Sequence, residues 1–191
     1  MFLINYKVKK YLSSNTSAPT TVKNRIFNKG EQILRIDTES KNFKNKHFYN
    51  TISKLDYEDD YFDLVIISDY NKGLIDNETI DFFKPELNRI NKGEFFVDTK
   101  STNINMFNSM ILFPNSNELK NIKKHNNINN TYDLLEKLNS PFLIETMDKN
   151  GASIYYNSNG YYNVPSLNKN PIDVFGCGDT FISAFSLYYT K

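Results

Sequence analysis

The sequence predicts an α/β fold, with three αβα layers built on a mostly parallel sheet and preceded by a β-hairpin. Three observations predict it. From Phe62 onward, short β-branched and aromatic runs alternate with segments of helical spacing, the pattern of βαβ units that build a parallel sheet. Two β-like runs around a glycine precede them and predict a hairpin. The chain closes on a glycine–acid turn that opens an apolar helix-like run.

Residues 1–19 are polar, and Ser13-Ser-Asn-Thr-Ser-Ala-Pro19 reads as a loop or linker. Thr20–Phe27 and Gln32–Asp37 flank Asn28-Lys-Gly-Glu31. Their alternation sets Val22, Arg25, Phe27, Ile33, Arg35 and Asp37 against Leu34 and Ile36. Residues 40–60 are charged, with a helix expected over Asn50–Asp59. Phe62–Ser68 is a strand, and Asn77–Asn91 a helix through Ile80, Phe83, Leu87 and Ile90. Strands follow at Glu94–Asp98 and Met110–Phe113, helices at Asn115–Lys124 and Thr131–Leu138, and a strand at Phe142–Thr146. Ala152–Tyr156 and Gly160–Pro165 read as a second hairpin, and a last helix starts at Gly178.

Composition excludes several function classes. The 191 residues carry 23 basic and 22 acidic side chains for a net charge of +1, which supplies no electrostatic footprint for nucleic acid or an anionic membrane. With 39% hydrophobic and 15% aromatic residues, a packed core is expected. A single Cys forms no internal disulfide and suits a reducing compartment. The longest purely apolar run, Leu64-Val-Ile-Ile67, is too short to span a bilayer, and Met1-Phe-Leu-Ile-Asn5 lacks the layout of a signal peptide. A soluble, cytoplasmic protein is expected. His47 and His125 stand without partner His or Cys, so no zinc site is expected.

In open parallel sheets, ligands bind beyond the carboxyl ends of the strands. Polar clusters follow each strand here: Ser68-Asp-Tyr-Asn-Lys-Gly73, Asp98-Thr-Lys100, Pro114-Asn-Ser-Asn-Glu118 and Glu145-Thr146. The last turn, Asp173-Val-Phe-Gly-Cys-Gly-Asp-Thr-Phe181, adds a helix N-terminus behind two glycines. Gly176 and Gly178 allow a sharp turn and close approach to a ligand, and the helix start points N–H groups and a positive dipole end into it. Asp179 stands beside that anion site. A carboxylate there suits deprotonation of a hydroxyl while charge builds on a phosphoryl group. A free Asp has a pKa of about 3.9, so it is ionised at neutral pH.

These residues resemble the PfkB (ribokinase-like) carbohydrate kinases. Asp173–Phe181 is similar to D-x-x-G-A-G-D-x-F, with Cys177 in place of Ala. Val97-Asp-Thr-Lys100 resembles V-D-P-K, Pro114–Glu118 resembles P-N-x-x-E, and Thr146–Gly151 resembles T-x-G-x-x-G with Asp148 at the middle Gly. Ser68–Gly73, Pro19–Ile26 and Gln32–Asp37 resemble S-D-Y-x-K-G, P-T-x-x-K-x-R and Q-x-L-R-x-D of the branch that phosphorylates bacterial D-glycero-β-D-manno-heptose 7-phosphate.

The resemblance implies an ATP- and Mg²⁺-dependent kinase acting on the anomeric hydroxyl of that sugar phosphate, in supply of lipopolysaccharide core. It makes Asp179 the base and Gly176, Cys177 and Gly178 the anion hole. Lys100, Asn115, Thr146 and Gly151 fall to the nucleotide, and Asn115 and Glu118 to the metal. Asp69, Lys72, Arg25, Arg35 and Asp173 fall to the sugar phosphate. Each has a plainer reading: a capping box for Asn115 and Glu118, a surface ion pair for Lys100 and Asp98, a polar βα loop for Asp69 and Lys72, an exposed strand face for Arg25 and Arg35, and packing for Cys177.

The resemblance lacks the family's N-terminal sugar-binding signature and its closing helices. Residues 1–191 are therefore expected to be one partial kinase domain, with a lid-like hairpin at 20–37 and a nucleotide-binding core at 60–191. No adenylyltransferase-like segment follows, so a second activity is not expected. A truncated, catalytically deficient relative or half of a split kinase, binding nucleotide only, is the alternative. An exposed sheet edge would favour a homodimer or association with a missing N-terminal half.

Overall fold

A computed structural model describes residues 20–40, 48–49, 62–90, 93–157, 160–167 and 176–191. The expected linker at 13–19 and helix at 50–59 lie outside these residues. The chain divides into two compact units, one of residues 1–59 with 72–74 and one of residues 60–71 with 75–191.

The smaller unit is built on an antiparallel hairpin of β1 (Val22–Asn28) and β2 (Glu31–Thr38). Its two-residue turn, Lys29 and Gly30, has φ of 49° and 88°, the double positive φ that matches strand twist in hairpins. The register corrects the expected alternation. Ile26 opposes Leu34, but Phe27 opposes Gln32, so Ile33 is an extra residue in a bulge. A bulge reverses the faces on one side of it. Between the bulge and the open end, plain alternation puts Val22, Ile26, Leu34 and Ile36 on one face and Lys23, Arg25, Arg35 and Asp37 on the other, so Val22 and Arg25 do not share a face.

The larger unit begins with three parallel strands in sequence order: β3 (Val65–Asp69), β4 (Phe95–Thr99) and β5 (Ile111–Leu112). An antiparallel set, β6 (Phe142–Thr146), β7 (Ala152–Tyr156) and β8 (Gly160–Val164), follows. A parallel bridge between Asn115 and Thr146 joins the sets, with the Thr146 N–H donating to Pro114 O at 2.9 Å.

Alternation along the strands feeds two cores. Phe95, Val97, Leu112 and Leu143 pack with α1 (Asn77–Ile90) through Ile80, α2 (Ser116–His125) through Leu119 and Ile122, and α3 (Thr131–Leu138) through Leu134, Leu135 and Leu138. Phe96, Ile111, Phe113 and Ile144 pack with α4 (Cys177–Tyr189) through Ile182, Phe181 and Phe185. The last helix begins at Cys177, one residue before Gly178.

Asn residues set the ends of α2 and α3. Asn130 caps α3 by accepting the Asp133 N–H at 2.9 Å, and Asn139 ends it in the left-handed region at φ 47°. Asp148, where a glycine was expected, has φ 52°. Asp tolerates that region better than most side chains, so the turn forms without glycine. Gly151 is less replaceable: at φ 92°, an added Cβ would lie 1.9 Å from Val164 O.

Two stability predictions follow from this packing. Gly151→Ala is expected to destabilise the protein by at least about 2 kcal/mol, through backbone strain and collision with β8. Phe96→Ala should cost about 3–5 kcal/mol, because Phe96 is fully buried between Phe113, Phe185 and Tyr189. Chemical denaturation measures both.

Candidate active site

Lys100 follows β4, Asn115 lies just beyond β5, and Thr146 ends β6, so the strand ends bring three expected residues to one rim. They line a small open cleft of about 60 Å³ with Asp98, Glu118 and Gly178. Phe113, Phe181 and Ile182 form its apolar wall.

The polar side is built around Glu118. Its Oε2 accepts the Asn115 N–H at 2.8 Å, while Asn115 Oδ1 accepts the Glu118 N–H at 2.9 Å, a reciprocal capping box at the start of α2. Its Oε1 lies 2.7 Å from Lys100 Nζ. Capping and a place on the rim therefore coexist: the cap orients the carboxylate, and the remaining oxygen faces the cleft. Lys100 Nζ also lies 3.2 Å from Asp98 Oδ1.

Burial pushes the Asp98 carboxyl above its usual range; Lys100 opposes this, and the charges of Glu118 and Asp179 add to it. Burial pulls Lys100 down, but its bond to Glu118 and the charges of Asp98 and Glu118 outweigh this and leave it raised. Asp179, exposed in the first turn of α4, is thus within electrostatic reach of Asp98.

Gly176 caps α4 at φ 71° and offers no side-chain acceptor. A Cβ added at Gly178 would meet open space, so Gly178 leaves room for a ligand against the helix start rather than relieving a clash. The N-terminus of α4 can receive an anion there.

Among the described residues, no group of three or more His, Cys, Asp or Glu could hold a metal ion. Magnesium, however, is commonly bound through one or two carboxylates, several waters and substrate phosphates. The donor chemistry of Asp98 and Glu118 beside an anion-receiving helix fits an ion shared with a phosphate ligand.

Other expected residues occupy different places. Asp69 is buried: its Oδ2 accepts the Thr99 O–H at 2.6 Å and its Oδ1 the Asn71 N–H at 2.8 Å. Thr99 Oγ1 in turn accepts the Ser101 N–H at 2.9 Å, so the Thr that stands in place of Pro shapes the turn carrying Lys100. Lys72 pairs with Glu39 in the smaller unit. Arg25 and Arg35 are directly opposed across the hairpin, and Arg35 pairs with Asp37 at 2.9 Å. Gly151 belongs to the turn after β6, Cys177 is exposed, and Asp173 lies outside the described residues.

The sequence reading did not single out Phe113, Phe181 and Ile182 as site residues. The available signal was helical spacing: Gly178, Phe181 and Ile182 stand at i, i+3 and i+4 and share a helix face.

Residues 98–190 match the model of the pfkB family carbohydrate kinases. A bifunctional protein HldE of Helicobacter hepaticus is 31% identical over 188 residues, covering 92% of this chain and 38% of that protein. The chain thus spans less than two-fifths of that relative's length. Among solved structures, Escherichia coli phosphofructokinase-2 in complex with potassium has a TM-score of 0.67 at 14% identity, covering 91% of this chain and 58% of that one. Arabidopsis thaliana ribokinase complexed with ribose and ATP has a TM-score of 0.54 at 16% identity, covering 66% and 43%. Both show a shared fold.

The raised Asp98 carboxyl has a definite consequence for stability. The folded chain holds this proton more tightly than the unfolded chain, so stability from the group is lost as pH rises from the ordinary value of 3.8 through the raised one. Asp98→Asn removes the buried charge. Its melting temperature is expected to exceed wild type at pH 7, with the difference vanishing near pH 3, in thermal unfolding at the two pH values.

Proposed function

We propose that this chain, whose residues 98–190 match the model of the pfkB family carbohydrate kinases, handles the nucleotide and the phosphoryl group in an ATP-dependent sugar kinase. The observation that carries this reading is the cleft, where Lys100, Asn115, Glu118 and Thr146 meet the N-terminus of α4. A cation, a carboxylate and a helix start around one opening suit a polyphosphate whose charge must be neutralised and whose position must be held.

Asp179 acts as the general base. It accepts the proton of the attacking sugar hydroxyl as the new O–P bond forms and the bond between the γ-phosphorus and its bridging oxygen breaks. The N–H groups of the first turn of α4 receive the transferring phosphoryl group. A magnesium ion would be held through Glu118, with Asn115 and Asp98 beside it, and would supply further charge neutralisation.

The substrate we assign is D-glycero-β-D-manno-heptose 7-phosphate, phosphorylated at its anomeric hydroxyl. Similarity to a protein named HldE and the motifs of residues 19–37 and 68–73 support it. Arg25 and Arg35, opposed on one hairpin face, suit the phosphate that this sugar already carries. A second reading, a nucleotide-binding piece that needs further polypeptide for turnover, is supported by the 38% share of the relative that the chain spans.

Coupled measurement of ADP with heptose 7-phosphate, ATP and Mg²⁺ separates the two. Turnover is expected, and Asp179→Asn should lower kcat by about 10²–10⁴, the usual contribution of a positioned base. Nucleotide binding without turnover at saturating sugar phosphate would favour the second reading. Arg35→Ala should raise KM for the sugar phosphate by about tenfold, the worth of one charge-assisted contact, and leave KM for ATP unchanged. Equal changes in both would remove the assignment of Arg35 to the sugar.

A further inference from the structure

The three charged side chains on the polar side of the cleft are not equally fixed. The Lys100 side chain is 42% exposed, against 16% for Glu118 and 18% for Asp98. Glu118 is anchored because its Oε2 is engaged in the capping box. Lys100 is joined to the rim by a flexible four-carbon stem, and its ammonium is a compact charge that moves without the backbone. Its 2.7 Å contact with Glu118 is therefore an ion pair in which only the cation can readily leave.

The same cleft is lined by Gly178 at the N-terminus of α4, where an anion is favoured. An entering polyphosphate meets a lysine that two carboxylates already hold. Transferring the ammonium fully onto the phosphates draws it away from Glu118. That withdrawal leaves the Glu118 and Asp98 carboxylates without their cation, which increases their attraction for another.

We propose that Lys100 is an exchange latch that pairs with Glu118 in the ligand-free chain and transfers to the phosphates of an incoming polyphosphate, releasing Glu118 toward a divalent cation. Polyphosphate and divalent cation then bind with positive coupling, because each favours the state in which the Lys100–Glu118 pair is open. The ligand's identity rests on the kinase reading above; the latch adds the order of events within the site.

The test is calorimetric titration of inorganic tripolyphosphate, without divalent cations, into wild type, Glu118→Gln, Lys100→Met and the double variant. Gln retains an acceptor for the capping box and Met keeps most of the lysine stem, and circular dichroism verifies folding. In Glu118→Gln, freed Lys100 should tighten tripolyphosphate binding by about threefold to tenfold. Lys100→Met should weaken it, and Glu118→Gln should give no gain in the Lys100→Met background. An equal gain in both backgrounds would show a general charge effect and overturn the latch, as would no gain in the wild-type background. If Glu118→Gln does not fold, Asp98→Asn takes its place in the same cycle with the same expected direction. If wild type binds neither tripolyphosphate nor ATP, the kinase reading falls and the latch with it. Binding by wild type with no coupling in the cycle removes the latch alone.

Discussion

The two-sided burial of β4 is the constraint from which the larger unit takes its form. Phe95 and Val97 face one core and Phe96 the other, and all three are buried. A strand of this kind leaves no face for water, so helices must cover both sides. α1, α2 and α3 supply side chains to one core and α4 to the other. Parallel pairing of β3, β4 and β5 then carries their chain exits to a common end. The cleft is a consequence of that geometry: Lys100 leaves β4, Asn115 lies just beyond β5, and α4 crosses the opposite core with its N-terminus at the same rim.

The capping box of α2 ties this architecture to chemistry. A local hydrogen-bonding need, satisfaction of the N–H groups of Asn115 and Glu118, orients a carboxylate whose other oxygen meets Lys100. The bond from Thr146 N–H to Pro114 O fixes the same loop to β6. Stability and site geometry therefore draw on the same few contacts, so substitutions at Glu118 affect both. Asp69 works one layer deeper: its buried carboxylate is consumed by Thr99 and Asn71, and its carbonyl accepts the Lys100 N–H at 2.9 Å. It shapes the turn that presents the lysine.

Where sequence and structure diverged, a short-range pattern had met a longer-range condition. The expected hairpin faces failed at Ile33 because a bulge adds one residue to β2 only, which alternation along a single strand does not reveal. Asp148 looked unsuited to a glycine position, yet the turn asks only for a positive φ and not for the absence of a side chain. Gly151 a few residues on is the reverse case, since Val164 O occupies the space of its missing Cβ. Gly178 lies in the first turn of the expected helix, and a Cβ there would face open space, so the close approach it allows is to a ligand and not to the fold.

Sequence alone determined the order of strands and helices, the capping box of α2, and the polar clusters behind each strand. These depend on residues within a few positions of one another, through periodicity, capping and turn preference. The family resemblance of residues 98–190 was legible for the same reason, because its motifs are short and contiguous. Only the tertiary structure decided which clusters share a cleft, that Lys100 is held by Glu118 and Asp98 together, and that Phe113, Phe181 and Ile182 wall the opening. Those outcomes depend on sheet register and on how α4 packs against Phe96 and Ile111, contacts between residues far apart in the chain that no local pattern encodes.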